Sequence, residues 1–159
     1  MKITDALLGE HAMLYALFAK AKQFTTEDRS TAELHMLVSI LEDQLGSHAQ
    51  MEEKLLFPAL EAHIGQMGPL AVMMAEHVEV ENYFEEANSE EDPERLKMLI
   101  DDLIDLAINH FQKEEMVLFG MAREFLSEEK LELIGKDWAI DRKVVIDGAG
   151  CPSRNAAIG

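Results

Sequence analysis

Apolar positions recur along this 159-residue chain with the three- and four-residue spacing of amphipathic helices, in four stretches separated by short polar segments. The spacing predicts helices over residues 4–24, 30–63, 69–87 and 93–125. Short connections make consecutive helices pack antiparallel, so the predicted fold is all-α, an up-down-up-down four-helix bundle. The inward stripes comprise Leu7, Leu14 and Phe18; Leu34, Leu37, Leu41, Leu55 and Ala59; Leu70, Met73 and Phe84; and Leu96, Leu99, Leu103, Val117 and Met121.

Local signals mark the helix ends. Ser30 and Glu33 have the spacing of a capping box, in which each side chain accepts a hydrogen bond from the other residue's backbone N–H. Pro69 and Pro93 suit the first position of a helix, because that residue's N–H has no intrahelical partner. These signals place the second, third and fourth helix starts.

Beyond the bundle the pattern weakens. A short fifth helix is predicted over residues 127–134, ended by Gly135, and an extended tail from Asp141 onward. The chain therefore divides into a bundle over residues 1–125 and a short helix with a tail over 126–159. The tail either covers a groove of the bundle or trails from it, through a segment that includes Val144, Val145, Ile146 and Cys151.

Four histidines interrupt the apolar stripes, one in each bundle helix. Three of them have a glutamate four residues later, and residues four apart share one face of a helix. A charged side chain on a core-facing stripe is costly unless something pairs with it, so these positions indicate a metal site. The predicted ligands are His11, His48, Glu52, His77, Glu81, His110 and Glu114.

The chemistry of these donors narrows the choice of metal. Four imidazoles with two or three carboxylates are too many donors for one tetrahedral zinc ion, and calcium and magnesium prefer oxygen throughout. Such a set suits two redox-active ions bridged by carboxylates, with iron the first choice and manganese the second. The Glu-x-x-His spacing of ferritin-like proteins would require glutamates where this chain has Leu8, Leu45, Met74 and Ala107.

The same residues give the chain its resemblance to the hemerythrin-like (HHE cation-binding) domain family, over roughly residues 5–121. The motifs are one histidine in the first helix, His48-x-x-x-Glu52 in the second, His77 in the third and His110-x-x-x-Glu114 in the fourth. The resemblance implies an oxo- or hydroxo-bridged di-iron centre. His11, His48, His77 and His110 would bind the irons, and Glu52 and Glu114 would bridge them.

Two departures separate the chain from the oxygen-carrying members. Those have a second histidine in the third helix, four residues from the first, where this chain offers Met73 or Glu81 around His77. They also have an aspartate five residues after the fourth-helix histidine, whereas Glu114 follows His110 at four. The sequence is thus more similar to non-carrier members linked to O2, NO or peroxide responses and to iron handling.

Three further polar residues lie close in sequence to the predicted ligands. Tyr15 follows His11 by four residues, so its hydroxyl could donate to a bridging oxygen or bind iron, and we interpret it as a residue supporting the site. Glu53 and Glu115 are interpreted as solvated neighbours of the bridging glutamates.

Composition restricts the partners. The formal net charge of -17 argues against nucleic acid as a partner, because its binding relies on Lys and Arg. A single cysteine fits a reducing compartment, and we find neither a signal peptide nor an apolar run of membrane-spanning length. We therefore expect a cytoplasmic protein without a membrane partner.

The predicted function is a non-haem di-iron protein that binds or reacts with O2, NO or peroxide in sensing, scavenging or iron handling under oxidative or nitrosative stress. The alternatives are an enzyme that turns over peroxide or NO at this centre, and an iron donor for the repair of iron–sulfur centres. A helical interaction module without a metal role is a further alternative. Whether the chain is an enzyme stays open at the level of sequence.

Overall fold

The computed structural model describes residues 1–145 as helices joined by short connections, with no strand among them. The helices are α1 (Ile3–Thr25), α2 (Thr31–Met51), α3 (Phe57–Ile64), α4 (Pro69–Ser89), α5 (Pro93–Lys113), α6 (Phe119–Phe125) and α7 (Glu128–Asp141). Two π-helical segments, π1 (Glu52–Leu56) and π2 (Glu114–Leu118), join α2 to α3 and α5 to α6 without a break. The second bundle helix is therefore α2–π1–α3, and the fourth is α5–π2–α6.

The bundle predicted from the apolar periodicity is confirmed, and so are its helix starts. The Ser30 hydroxyl accepts from the Glu33 backbone N–H, and the Glu33 carboxylate accepts from that of Ser30, which completes the capping box. Pro69 and Pro93 each occupy the first turn of a helix. Among residues 1–145, none of the helices combines the length and the apolar character needed to cross a membrane.

Two apolar clusters fill the bundle, one on each side of the histidine layer. The Phe18 cluster includes Leu14 and Phe18 of α1, and it draws further residues from α2, α4 and α5. The Leu60 cluster includes Ile3 and Leu7 of α1 and Leu60 of α3, with residues from α4, α6 and α7. Because His11 lies between Leu7 and Leu14, the polar layer lies between two separate hydrophobic cores.

The two π segments change which side chains face the core. In each segment a backbone hydrogen bond spans five residues instead of four. The Phe57 N–H donates to the Glu52 carbonyl oxygen in π1, and the Phe119 N–H donates to the Glu114 carbonyl oxygen in π2. The extra residue shifts the inward stripe by one position. Leu56, Leu60, Leu118 and Ala122 are buried, whereas the predicted Leu55, Ala59, Val117 and Met121 are half-buried or exposed.

The fifth helix is longer than predicted. It runs to Asp141 and passes through Gly135, which does not end it. A Cβ atom at residue 135 would lie 2.3 Å from the carbonyl oxygen of Met1, so this glycine serves close packing against the start of α1. Beyond the helix, Val144 and Val145 are exposed, while Ile146 and Cys151 of the predicted tail lie outside the described residues.

Candidate metal centre

Four imidazoles meet at the centre of the bundle, each carried by a different helix. His11 comes from α1, His48 from α2, His77 from α4 and His110 from α5, and all four are buried. The Nε2 atoms of His11 and His48 lie 3.0 Å apart, and those of His77 and His110 lie 3.1 Å apart. The centre therefore contains two imidazole pairs.

Glu52 and Glu114 connect the two pairs. One Glu52 oxygen lies 3.5 Å from His48 Nε2 and the other lies 3.5 Å from His77 Nε2. The Glu114 oxygens lie 3.3 Å from the Nε2 atoms of His11 and His110. Each glutamate thus has one oxygen on each imidazole pair, which is the arrangement of a carboxylate that bridges two ions.

A ring of four further carboxylates surrounds the imidazoles. Each accepts a hydrogen bond from the Nδ1 atom of a histidine on a neighbouring helix. Every bundle helix therefore supplies one carboxylate to the ring and one histidine that a carboxylate from another helix holds. A hydrogen on Nδ1 leaves the opposite atom, Nε2, facing the centre, where it presents a lone pair once it carries no proton. The pairs are His48 with Glu10 at 2.7 Å, His77 with Glu53 at 2.7 Å, His110 with Glu76 at 2.9 Å and His11 with Glu115 at 2.9 Å.

The ring follows a sequence pattern that occurs twice. The first and third bundle helices carry Glu-His, at residues 10–11 and 76–77, and the second and fourth carry His-x-x-x-Glu-Glu, at 48–53 and 110–115. In both longer motifs a π segment begins at the first glutamate. The two halves of the bundle therefore supply the same set of donors to the centre.

Burial and the neighbouring charges shift the pKa values of these groups in opposite directions. Burial acts to lower the pKa of His48, but the carboxylate of Glu52 and the bond to Glu10 raise it to about 10. Burial also acts to lower the pKa values of His77 and His110. Glu52 nevertheless raises the pKa of His77, and Glu114 raises that of His110. Burial acts to raise the pKa of Glu52, yet His48 and His77 hold it well below its usual range.

The donor set fits a pair of cations. All four oxygens of Glu52 and Glu114 are buried without a hydrogen-bond partner among the described residues, although such groups normally have one. The Nε2 atoms of His11 and His48 face each other across 3.0 Å. Two groups of ligand atoms result, in which every atom lies within 4.8 Å of the others: His11, His48, Glu52 and Glu114; and Glu52, His77, His110 and Glu114.

The comparison with known families agrees with this geometry. The family described as the hemerythrin HHE cation-binding domain matches residues 2–122, which include all four bundle helices up to α6. The chain belongs to this family. Hemerythrin HHE domains bind metal cations, and the two buried histidine and glutamate groups could hold them.

A longer protein contains a related segment. The chain is 27% identical over 145 residues to a protein named DNA nickase from Nostoc sp. (strain PCC 7120 / SAG 25.82 / UTEX 2576). The match covers 90% of this chain but 38% of that relative. No solved structure matches the chain significantly.

Within the hemerythrin HHE domain, the structure brings together six of the seven predicted ligands. The seventh, Glu81, is exposed and lies outside both groups, because the inward stripe of α4 continues from His77 through Val80 to Phe84. Glu81 instead lines a cleft of about 510 Å³ between α2 and α4, which His48, His77 and His110 also line. Metal binding by any of the seven stays a prediction.

Tyr15 lies beside the centre without joining either group. Its hydroxyl donates to Glu115 at 3.2 Å, and Glu115 in turn holds Nδ1 of His11. Burial and the negative charge of Glu115 raise the pKa of Tyr15 to about 12, so the phenol keeps its proton. Tyr15 therefore contacts His11 indirectly, through the carboxylate of Glu115.

The sequence-based interpretation overlooked the carboxylate ring. Glu53 and Glu115, which the sequence predicts to be solvated neighbours, both accept from imidazole Nδ1 atoms. Glu10 and Glu76, for which the sequence predicts no role, do the same. The repeated motif is the signal that could have revealed them, because each longer motif has a second glutamate directly after the bridging one. Their partners lie on other helices, which the spacing within one helix does not reveal.

Proposed function

We propose that this hemerythrin HHE domain holds two iron ions and that O2, NO or peroxide reacts at the centre they form. The observation that carries the proposal is the pair of buried donor groups sharing Glu52 and Glu114. Iron suits mixed imidazole and carboxylate ligands, and a pair of irons would supply the redox chemistry that such small molecules require.

The protein's own residues would hold and orient the ions. His11 and His48 would bind one iron, His77 and His110 the other, and the two glutamates would bridge them. The surrounding carboxylates fix each imidazole with Nε2 facing inward, and they raise its strength as a donor. Phe111 stacks on the His11 ring at a centroid distance of 4.0 Å, which limits water on that side.

The cleft between α2 and α4 supports access by a small molecule. Three of the four imidazoles line it, together with apolar residues such as Leu45, Val80 and Phe84. We propose that O2, NO or peroxide approaches the centre through this cleft. The same opening would admit iron itself, so the cleft suits two roles: the chemistry of a resident centre, and iron donation to damaged iron–sulfur centres.

The first test is the optical spectrum of protein loaded with Fe²⁺ without air and then exposed to O2. A band that forms and is lost reversibly on deoxygenation supports binding or sensing. Rapid irreversible oxidation supports redox chemistry or iron handling, and steady-state turnover of peroxide or NO would make the protein an enzyme. Absence of any iron-dependent band would overturn the proposal.

The bridging role of Glu52 has its own test. Replacing Glu52 with alanine removes an oxygen from each metal position, so the variant should lose the paired centre and bind at most one iron tightly. Metal analysis after gel filtration measures the iron content per chain. Glu42→Ala is the matched control, since Glu42 lines the outer cleft and belongs to neither donor group. Two retained irons in Glu52→Ala would contradict the bridging assignment.

DNA nicking forms no part of this proposal. The chain spans 38% of the Nostoc relative, and its 31 acidic residues against 14 basic ones disfavour binding to a phosphate backbone. We also propose that the protein works in the cytoplasm, because a single cysteine fits a reducing compartment. No nucleic acid or membrane partner is proposed.

A further inference from the structure

Helix α7 lies outside the family match, yet it reaches the candidate metal centre. The match ends at residue 122, and α7 begins at Glu128. The helix packs along α1, with Leu131 and Ile134 in the Leu60 cluster. Near its end, Trp138 and Arg142 turn toward the first two bundle helices. These two side chains connect a segment beyond the family domain to the site.

The connection passes through Glu10. One Glu10 oxygen accepts from His48 Nδ1 at 2.7 Å, and the other accepts from Trp138 Nε1 and from Arg142 Nε, both at 2.7 Å. Arg142 also donates to the backbone oxygen of Ser47 at 2.9 Å, directly before His48. Both oxygens of Glu10 are therefore occupied, and the guanidinium is anchored to the helix that carries His48.

No other carboxylate of the ring is held in this way within residues 1–145. Glu115 receives the Tyr15 hydroxyl, and Glu76 receives Lys113, and both donors come from the bundle itself. Within the same residues Glu53 has no donor besides His77, and its side chain is 41% exposed. Among the residues that the structure describes, Glu10 is the one ring carboxylate held from outside the four-helix domain.

We infer that Trp138 and Arg142 are positioning residues for His48, so that docking of α7 and metal binding at the His11 and His48 pair stabilise each other. The inference rests on the proposed metal centre. A carboxylate whose outer oxygen is held by two donors cannot rotate away from the imidazole, which keeps His48 Nε2 aimed at the ion. Linkage makes the effect reciprocal, because a metal that favours the docked arrangement must also favour the docking of α7.

This coupling would give the protein a way to report its metal state. A metal ion bound by His11 and His48 would hold α7 more firmly against the surface of the bundle. The His77 and His110 pair has no corresponding contact with α7 in the part of the chain that the structure describes. The two metal positions should therefore differ in their effect on α7.

Trp138 makes the inference measurable, because it is the single tryptophan of the chain. We would titrate metal-free protein with Co²⁺, following Trp138 emission and calorimetric heat together. The wild-type protein should bind two ions, and one step should change the emission strongly. Arg142→Gln should weaken that step about tenfold and leave the other within a factor of two. Arg142→Lys, which keeps a charged donor, should recover part of the affinity.

Two controls separate positioning from general stabilisation of α7. Asp141→Asn breaks the ion pair of Asp141 with Lys54 at the same end of the helix, and it should leave both steps unchanged. Lys113→Gln removes the donor to Glu76, so it should weaken the step to which Trp138 does not respond. A structural role alone would move thermal stability in these variants without separating the two binding steps.

The outcomes distinguish the inference from the proposed function. Absence of Co²⁺ binding by the wild-type protein would remove the metal centre and the inference with it. Two wild-type steps with unchanged affinities in Arg142→Gln would overturn the inference and leave the metal centre standing. If Arg142→Gln loses its helical structure, Trp138→Phe removes only the indole donor, and calorimetry then decides. Unweakened binding in a folded Trp138→Phe variant would equally overturn the inference.

Discussion

At the scale of single residues, the direction of each imidazole decides whether the site can bind metal. His48 presents Nε2 to the centre because Glu10 accepts from Nδ1, and the same relation holds for the other three histidines. The carboxylates that orient the rings lie at the edge of the buried layer, where Glu53 and Glu115 keep partial contact with solvent. The orientation of the four imidazoles thus depends on residues outside the two donor groups.

The raised pKa of His48 gives the metal-free protein a pH-dependent stability. The pKa of His48 is about 10 in the folded state and about 6.5 in the unfolded chain. The stabilisation is therefore complete below pH 6.5 and is lost as the pH rises through 10. We therefore expect the Tm of the metal-free protein to fall between pH 7 and pH 10. Metal affinity should rise over the same window, because the competing proton leaves.

Thermal melts followed by circular dichroism measure this dependence. A His48→Gln variant is the control, because it lacks the titrating group and should show a shallower fall of Tm with pH. Metal-loaded wild-type protein should likewise vary less. A metal-free Tm that stays constant or rises from pH 7 to pH 10 would contradict the assigned direction.

At the scale of the elements, the π segments let the second and fourth bundle helices bury both a glutamate and the apolar residues that follow it. A regular period places Glu52 and Glu114 on the inward face, four residues after their histidines. The extra residue in each π segment then shifts the following stripe by one, so that Leu56 and Leu118 are buried. A strict period therefore predicts the inward positions of Glu52 and Glu114 correctly and the apolar positions beyond them wrongly.

The packing of α7 on the start of α1 depends on Gly135. An alanine there would bring its Cβ atom against the Met1 carbonyl oxygen, so Gly135→Ala should lower the free energy of unfolding by about 1–3 kcal/mol, a typical effect of overpacking. Urea denaturation measures the change. Gly120→Ala in α6 is the matched control, because its Cβ atom would meet nothing within 4 Å.

The two glycine variants should differ in sign. Alanine favours a helix over glycine, so Gly120→Ala should raise stability by about 0.5–1 kcal/mol. Equal effects of the two substitutions would show that close approach to Met1 does not constrain residue 135. A neutral Gly135→Ala variant would imply that the start of α1 can shift without loss.

At the scale of the whole molecule, the polar layer lies between two apolar clusters. The Phe18 cluster on one side and the Leu60 cluster on the other are formed from buried residues of several helices. Burial of this apolar surface is the main favourable contribution to folding. The bundle should therefore remain folded without metal, even though the central layer holds unpartnered carboxylate oxygens.

Metal removal tests this division of roles. Chelation should preserve the helical circular dichroism signal while lowering Tm, because a ligand that binds only the folded state stabilises it. Free metal at a hundred times its dissociation constant adds about 2.7 kcal/mol. For a chain of this size that corresponds to roughly 5–11 °C in Tm. Calorimetry at increasing metal concentration measures the shift.

Two results would contradict this expectation. Unfolding of the protein on chelation would mean that the clusters cannot hold the bundle alone. A Tm that is independent of metal concentration would mean that the folded state does not bind the ion. The Glu52→Ala variant serves as the control, because its Tm should respond less to added metal than that of the wild-type protein.

The sequence by itself determined the fold class, the helix starts and the positions of His11, His48, Glu52, His77, His110 and Glu114. Periodicity within one helix carries that information, because residues three and four apart share a face. Only the tertiary structure decided that Glu10, Glu53, Glu76 and Glu115 orient the imidazoles, that Glu81 lies outside the donor groups, and that α7 reaches His48 through Trp138 and Arg142. These relations join side chains on different helices, and the distance between helices is fixed by packing, which no spacing along the chain records.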